Sequence, residues 1–195
     1  MNMQQFEKFL EEKKSILKTK SDAEKLRSFI MWCKQKNIEE IILRLSSEGK
    51  GGWSNNYFLD FTTTRLIVTK KSLSRKFLDV GYVAGLAPFP AVVLSEKLRK
   101  KLDGSKQVIT SPDEILDADS SNYFIWYSDV QEFVFRKGME STVVNMFGRM
   151  VVSNYIKIKT ANQTYEYKLP VNKNGSYEQI LPWLSVVLPV KISTS

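Results

Sequence analysis

Tyr123-Phe124-Ile125-Trp126-Tyr127-Ser128-Asp129-Val130-Gln131-Glu132-Phe133-Val134-Phe135-Arg136 is the stretch on which the fold turns. Aromatic and β-branched residues crowd it, and both kinds suit a pleated, half-buried surface. Asn122 to Tyr127 is predicted to be one strand and Val130 to Arg136 another. In the second, Val130, Glu132, Val134 and Arg136 alternate with Gln131, Phe133 and Phe135, the period of a strand with two unlike faces. Ser128-Asp129 makes the corner between them, and Lys137-Gly138 turns the chain afterwards. The aromatics at 123–127 and 133–135 read as core-facing.

The same period recurs on both sides. Downstream, Val143 to Lys159 is strand-like but broken near Gly148, with Tyr155 to Lys159 its best part. Ala161-Asn162 is a turn, and Thr164 to Leu169 alternates again. Ser176 to Leu188 is then predicted as an apolar helix with Ile180, Trp183, Leu184 and Val187 on one face. Pro182 should kink it or mark its true start, because proline lacks the helical donor. Upstream, Ile41, Leu43 and Leu45 alternate with Ile42, Arg44 and Ser46, Gly49-Lys50-Gly51-Gly52 breaks the pattern, and Tyr57–Phe61 and Arg65–Thr69 read as further strands.

Before residue 39 the period is helical. Phe6, Phe9, Leu10 and Leu17 share one face. Ser21-Asp22-Ala23-Glu24 is a capping box opening a second helix, with Leu26, Phe29, Ile30 and Cys33 on its apolar face and Met31 and Trp32 widening it. The short link at Thr19-Lys20 makes the two helices neighbours. Ser111-Pro112-Asp113-Glu114 is a second capping signal. Runs of strands bounded by helices mean α+β with an antiparallel sheet. The division expected is a helical hairpin over residues 1–38 and a sheet domain over 39–190, the latter carrying an insert at about 72–118.

The order of motifs is also informative. Thr62-Thr63-Thr64-Arg65-Leu66 leads into Ile67-Val68-Thr69, and Tyr127-Ser128-Asp129-Val130 precedes a strand ending in Arg136-Lys137-Gly138. Ile156-Lys157-Ile158-Lys159-Thr160, Tyr165-Glu166-Tyr167-Lys168-Leu169 and a last amphipathic helix follow. This order resembles the pleckstrin-homology-like (PH-like) superfold in its bacterial and archaeal versions, close to GRAM-type domains, over roughly residues 39–190. The resemblance implies a seven-stranded, two-sheet barrel capped by the C-terminal helix. It also implies a non-catalytic module for lipid head groups, peptides or proteins, without choosing among them. Arg65 and Asp129 are the residues most tied to the pattern. Arg65 either supports the sheet or pairs with a carboxylate, or else contacts an anion, and Asp129 caps a corner.

Charge narrows the choice. The 195 residues carry 29 Lys/Arg and 21 Asp/Glu, a net charge of +8. Residues 61–106 hold ten basic and three acidic residues, so +7 of the +8 lies there. Inside that segment Val80–Leu94, VGYVAGLAPFPAVVL, has no charge at all. It is too short, and too broken by Pro88 and Pro90, to span a bilayer as a helix. The anion or lipid-binding candidates are Arg65, Lys70, Lys71, Arg75, Lys76, Lys97, Arg99, Lys100 and Lys101. Tyr82, Leu86, Phe89 and Val92 are the apolar interface candidates. A basic field of this kind attracts an anionic surface.

Catalytic chemistry finds little support. There is no histidine, which removes the commonest general base and metal ligand. No G-x-G-x-x-G, P-loop or G-x-S-x-G occurs. The one cysteine, Cys33, lies on an apolar helical face and excludes an intrachain disulfide. The N-terminus, MNMQQFEKFLEEKK, lacks the apolar core of a secretory signal. The expectation is a cytoplasmic, non-enzymatic adaptor with no cofactor, no metal and no transmembrane span, attached peripherally to an anionic lipid surface. The alternative partner is a protein or a second copy of the chain, held by the same insert or by the N-terminal helices. Nucleic acid is the remote alternative: the basic cluster is present, but the aromatics at 123–127 and 133–135 alternate as core-facing strand residues would, and no helix-turn-helix or zinc signature occurs.

Overall fold

A computed structural model describes residues 3–17, 20–48, 56–70, 111–138 and 153–194. Helix α1 spans Met3–Leu17 and α2 spans Asp22–Gln35. The capping box at the head of α2 forms as its sequence demands: the Ser21 hydroxyl accepts from the Glu24 amide, and the Glu24 carboxylate accepts from the Ser21 amide at 2.8 Å. Phe6 and Phe9 of α1 meet Phe29 of α2 at ring-centroid distances of 5.1 and 5.4 Å. Trp32 completes the aromatic cluster and donates its indole N–H to Glu12 at 2.8 Å. Met31 does not widen the apolar face; it is 57% exposed, whereas Trp32, one helical turn from Phe29, is buried.

The described strands form one sheet. They are β1 (Ile41–Glu48), β2 (Asn56–Thr62), β3 (Arg65–Lys70), β4 (Tyr123–Trp126), β5 (Val130–Arg136), β6 (Ser153–Thr160), β7 (Thr164–Pro170) and β8 (Ile192–Ser193). Their order is β4-β3-β2-β1-β7-β6-β5-β8. All neighbours are antiparallel except β8, which lies parallel to β5. β1 to β4 form one meander and β5 to β7 another. The chain passes between them through a single tight turn at Tyr127–Asp129, and they rejoin where Glu48 of β1 pairs with Lys168 of β7.

This topology turns two inner faces towards each other. Leu59, Phe61, Leu66 and Val68 share a buried cluster with Phe133, Phe135, Ile156, Ile158 and Leu169. Phe61 and Phe133 span the gap at 6.4 Å with rings inclined by 64°. Three phenols add polar contacts, one between the meanders and one from the connecting turn to β2. The hydroxyls of Tyr123 and Tyr167 lie 2.8 Å apart, and Tyr127 donates to the Thr62 carbonyl at 2.9 Å. Burial raises the pKa of all three phenols, so each stays protonated through the neutral range.

Three short helices complete the described fold. α3 (Pro112–Asp117) carries the expected capping box, with Ser111 and Glu114 as partners. α4 (Val171–Asn174) had no signal in the sequence. It places the Asn174 side-chain amide against Ser46, accepting from its N–H at 2.6 Å and donating to its carbonyl at 2.8 Å. α5 (Tyr177–Val187) contains Pro182 in its interior, so the proline does not mark its start. Ile180, Leu184 and Val187 are buried and Trp183 is partly so. α2 packs against α5, and one continuous cluster therefore runs from Phe6 to Leu188. Mixed α+β architecture with an N-terminal helix pair and a C-terminal helix is what the sequence predicted. Among the described residues no helix is long and apolar enough to cross a membrane.

Candidate functional site

The turn between β2 and β3 is Thr62-Thr63-Thr64, and threonine hydroxyls organise it. Thr62 Oγ1 accepts from the amides of Arg65 at 2.9 Å and Thr64 at 3.2 Å. Thr63 is bound to the strand entry: its amide donates to the Glu40 carbonyl at 3.0 Å. This fixes the backbone at Arg65 and brings Glu39 over it.

Arg65 Nε and Nη2 donate to the two oxygens of Glu39 at 3.0 and 2.8 Å. Nη2 also donates to Asp113 at the head of α3. The hydroxyls of Thr62 and Thr64 each lie 2.6 Å from Glu39 Oε1. Burial works against the charge of Arg65, but the hydrogen bonds it donates to Glu39 and Asp113 more than offset it and raise its pKa. The guanidinium also sits over two aromatic rings, 5.0 Å from the centroid of Phe124 and 5.1 Å from that of Trp126. Those rings meet edge to face at 5.2 Å and 71°. Arg65 is thus joined to two carboxylates and two rings drawn from three other segments: the entry of β1, the head of α3, and β4.

The aromatics need a correction. Tyr123, Ile125 and Tyr127 contribute to the core cluster, but Phe124 and Trp126 do not; they are 42% and 41% exposed. A strand alternates its side chains between faces, so Tyr123 and Ile125 inward require Phe124 and Trp126 outward. That period was the available signal for this pair. Glu39 and Asp113 had only their membership of the acidic pairs Glu39-Glu40 and Asp113-Glu114 to recommend them.

Of the basic candidates, Arg65 and Lys70 are among the described residues, and the structure keeps them apart. Five positions along β3 put them on opposite faces and roughly 17 Å from one another. The backbone amide of Lys70 donates to Asn122 Oδ1 at 3.2 Å, and the Asn122 amide group donates to the Ile115 carbonyl at 2.8 Å. Lys71, Arg75, Lys76, Lys97, Arg99, Lys100 and Lys101 lie outside the described residues, as do Tyr82, Leu86, Phe89 and Val92.

Cys33 is fully buried, and desolvation together with the nearby Glu40 pushes its thiol up to about 12. It stays protonated and unreactive at neutral pH. Asp129 is exposed at the corner and accepts from Ser128 Oγ at 3.2 Å. Among the described residues no group of three Cys, Asp or Glu side chains comes together as a metal site would need.

No family model matches this chain. No match is found among curated proteins or solved structures either. The functional reading therefore rests on this chain's own residues.

Proposed function

We propose that this chain is a non-catalytic binding module of PH-like architecture, held peripherally at an anionic membrane surface by its basic-flanked apolar insert. The observation that carries the reading is the placement of charge: +7 of the net +8 falls within residues 61–106, around an uncharged fifteen-residue run. The strand order supports the architectural part. Seven strands in the order β4-β3-β2-β1-β7-β6-β5, followed by α5, suit two antiparallel meanders folded face to face under a C-terminal helix.

Two modest terms combine in this mechanism. Apolar side chains such as Tyr82, Leu86, Phe89 and Val92 enter the interfacial layer, and each nearby Lys or Arg adds about 1 kcal/mol at an anionic leaflet. Arg65 contributes little to that sum, because Glu39 and Asp113 already use its charge. Co-sedimentation with phosphatidylserine-containing vesicles tests the reading. Binding should weaken steeply with salt and when Lys97, Arg99, Lys100 and Lys101 are changed together to glutamine. Failure to bind such vesicles at low salt would remove the membrane reading. A dimer that dissociates when residues 80–90 are deleted would favour self-association through the insert instead.

A further inference from the structure

We infer that the outer face of β4 is a docking surface for an extended, Lys/Arg-bearing segment of a partner protein. The inference does not depend on the membrane reading and concerns a different part of the chain.

Phe124 and Trp126 stand side by side on a strand that ends the sheet among the described residues. Met31 and Tyr155, the other large exposed apolar side chains there, sit on separate elements. Exposed aromatic pairs are the residue types that dominate binding energies at interfaces. This pair is also held in place before any partner arrives. The rings brace one another edge to face, and Arg65, itself clamped by Glu39 and Asp113, lies over both. Side-chain freedom lost during folding need not be lost again on binding, which favours affinity.

The charge around the rings selects the partner. Residues 111–133 contain Asp113, Glu114, Asp117, Asp119, Asp129 and Glu132, six acids, and no Lys or Arg. The side chain of Asp113, beside the rings, is 79% exposed. Among the described residues the cation over the rings is Arg65, already shared between two carboxylates. Residues 111–133, which carry both rings, net −6 in a chain of +8, and that segment repels an acidic partner and attracts a basic one. Lys and Arg add a cation–π contact on an indole ring. Among the described residues no strand pairs with the edge of β4 away from β3, and a strand added there would bring alternate side chains beside Phe124 and Trp126.

Selection of a random peptide display library against the full-length protein tests this. Enriched peptides should be rich in Lys and Arg at alternating positions, and F124S/W126S should weaken their binding by about tenfold or more. The charge-reducing variant D113N/D117N should weaken it severalfold and flatten its salt dependence. The aromatic substitutions fall on exposed positions, and an unchanged thermal melt will establish that the variant is folded. Enrichment of acidic or neutral peptides, no enrichment, or equal binding by folded F124S/W126S would each overturn the inference. Vesicle binding by F124S/W126S should match the wild type, which separates this surface from the insert.

Discussion

Arg65 and Glu39 face each other as fork and carboxylate, with N–O distances of 3.0 and 2.8 Å, and the pair locks the entry of β1 to the start of β3. Both side chains are largely covered, with 9% and 20% exposed. A partly buried charge left without its partner is costly, more so than the pair is stabilising. Arg65→Leu should therefore lower unfolding stability by about 3 kcal/mol in urea titrations. Asp113→Asn should cost under about 1 kcal/mol, because that carboxylate is mostly in solvent. Equal losses for the two variants would mean that Glu39 is not the main anchor. Lysine at position 65 should rescue only part of the loss, since an ammonium cannot reproduce the two-pronged contact.

Phe29 is fully buried between Phe6, Phe9 and Trp32, and its helix packs on α5. Phe29→Ala should cost about 3–5 kcal/mol by removing transfer energy and leaving a cavity. Because the buried cluster is continuous with the sheet, melting should remain a single transition. Helix signal and tryptophan fluorescence should fall together. Separate midpoints in the variant would show the helix pair to be an independent unit.

Cys33 gives a reactivity and a pH prediction. A thiol raised to about 12 in the fold should resist alkylation at pH 8 in the native protein and react readily in denaturant. Its unfolded value is about 8.5, so the unfolded chain releases this proton first as pH rises. The stability due to the protonated buried thiol is intact below pH about 8.5 and is lost progressively towards pH 12. Cys33→Ala should show a shallower alkaline loss of stability than wild type. Rapid modification of the native thiol at pH 8 would contradict the burial.

Gly138 follows β5 where the chain passes close to β6. A Cβ built there would stand 1.5 Å from the Ser153 carbonyl oxygen, a backbone atom that cannot swing aside. The Gly138 amide meanwhile donates to Asn154 Oδ1 at 3.3 Å. Gly138→Ala should therefore cost about 2–3 kcal/mol through forced separation of the strands. Gly175, at φ +94°, is the second position where only glycine is comfortable, and Gly175→Ala should be destabilising for a conformational reason instead. Thermal melts of the two variants should both shift downward.

Most elements were readable because their signals are local. The strand period at Val130–Arg136 places Phe133 and Phe135 in the core, and both are fully or almost fully buried. The capping boxes at Ser21 and Ser111 involve residues three apart, and each begins a helix where expected. β8, two residues long, and α4, four residues long, carry too little pattern to be read. They exist because β5 offers an edge and Ser46 a pair of free backbone groups.

What the sequence determined by itself was the type and approximate extent of its helices and strands, since period, caps and turns depend on neighbours a few positions away. It also located the charge of the insert. Only the tertiary structure decided which side chains meet. Arg65 finds Glu39 26 positions away and Asp113 48 away, and Asn174 finds Ser46 across 128. Those meetings follow from strand order and register, which place whole segments side by side. The same register turned Phe124 and Trp126 outward and made a surface of what the composition alone suggested was core.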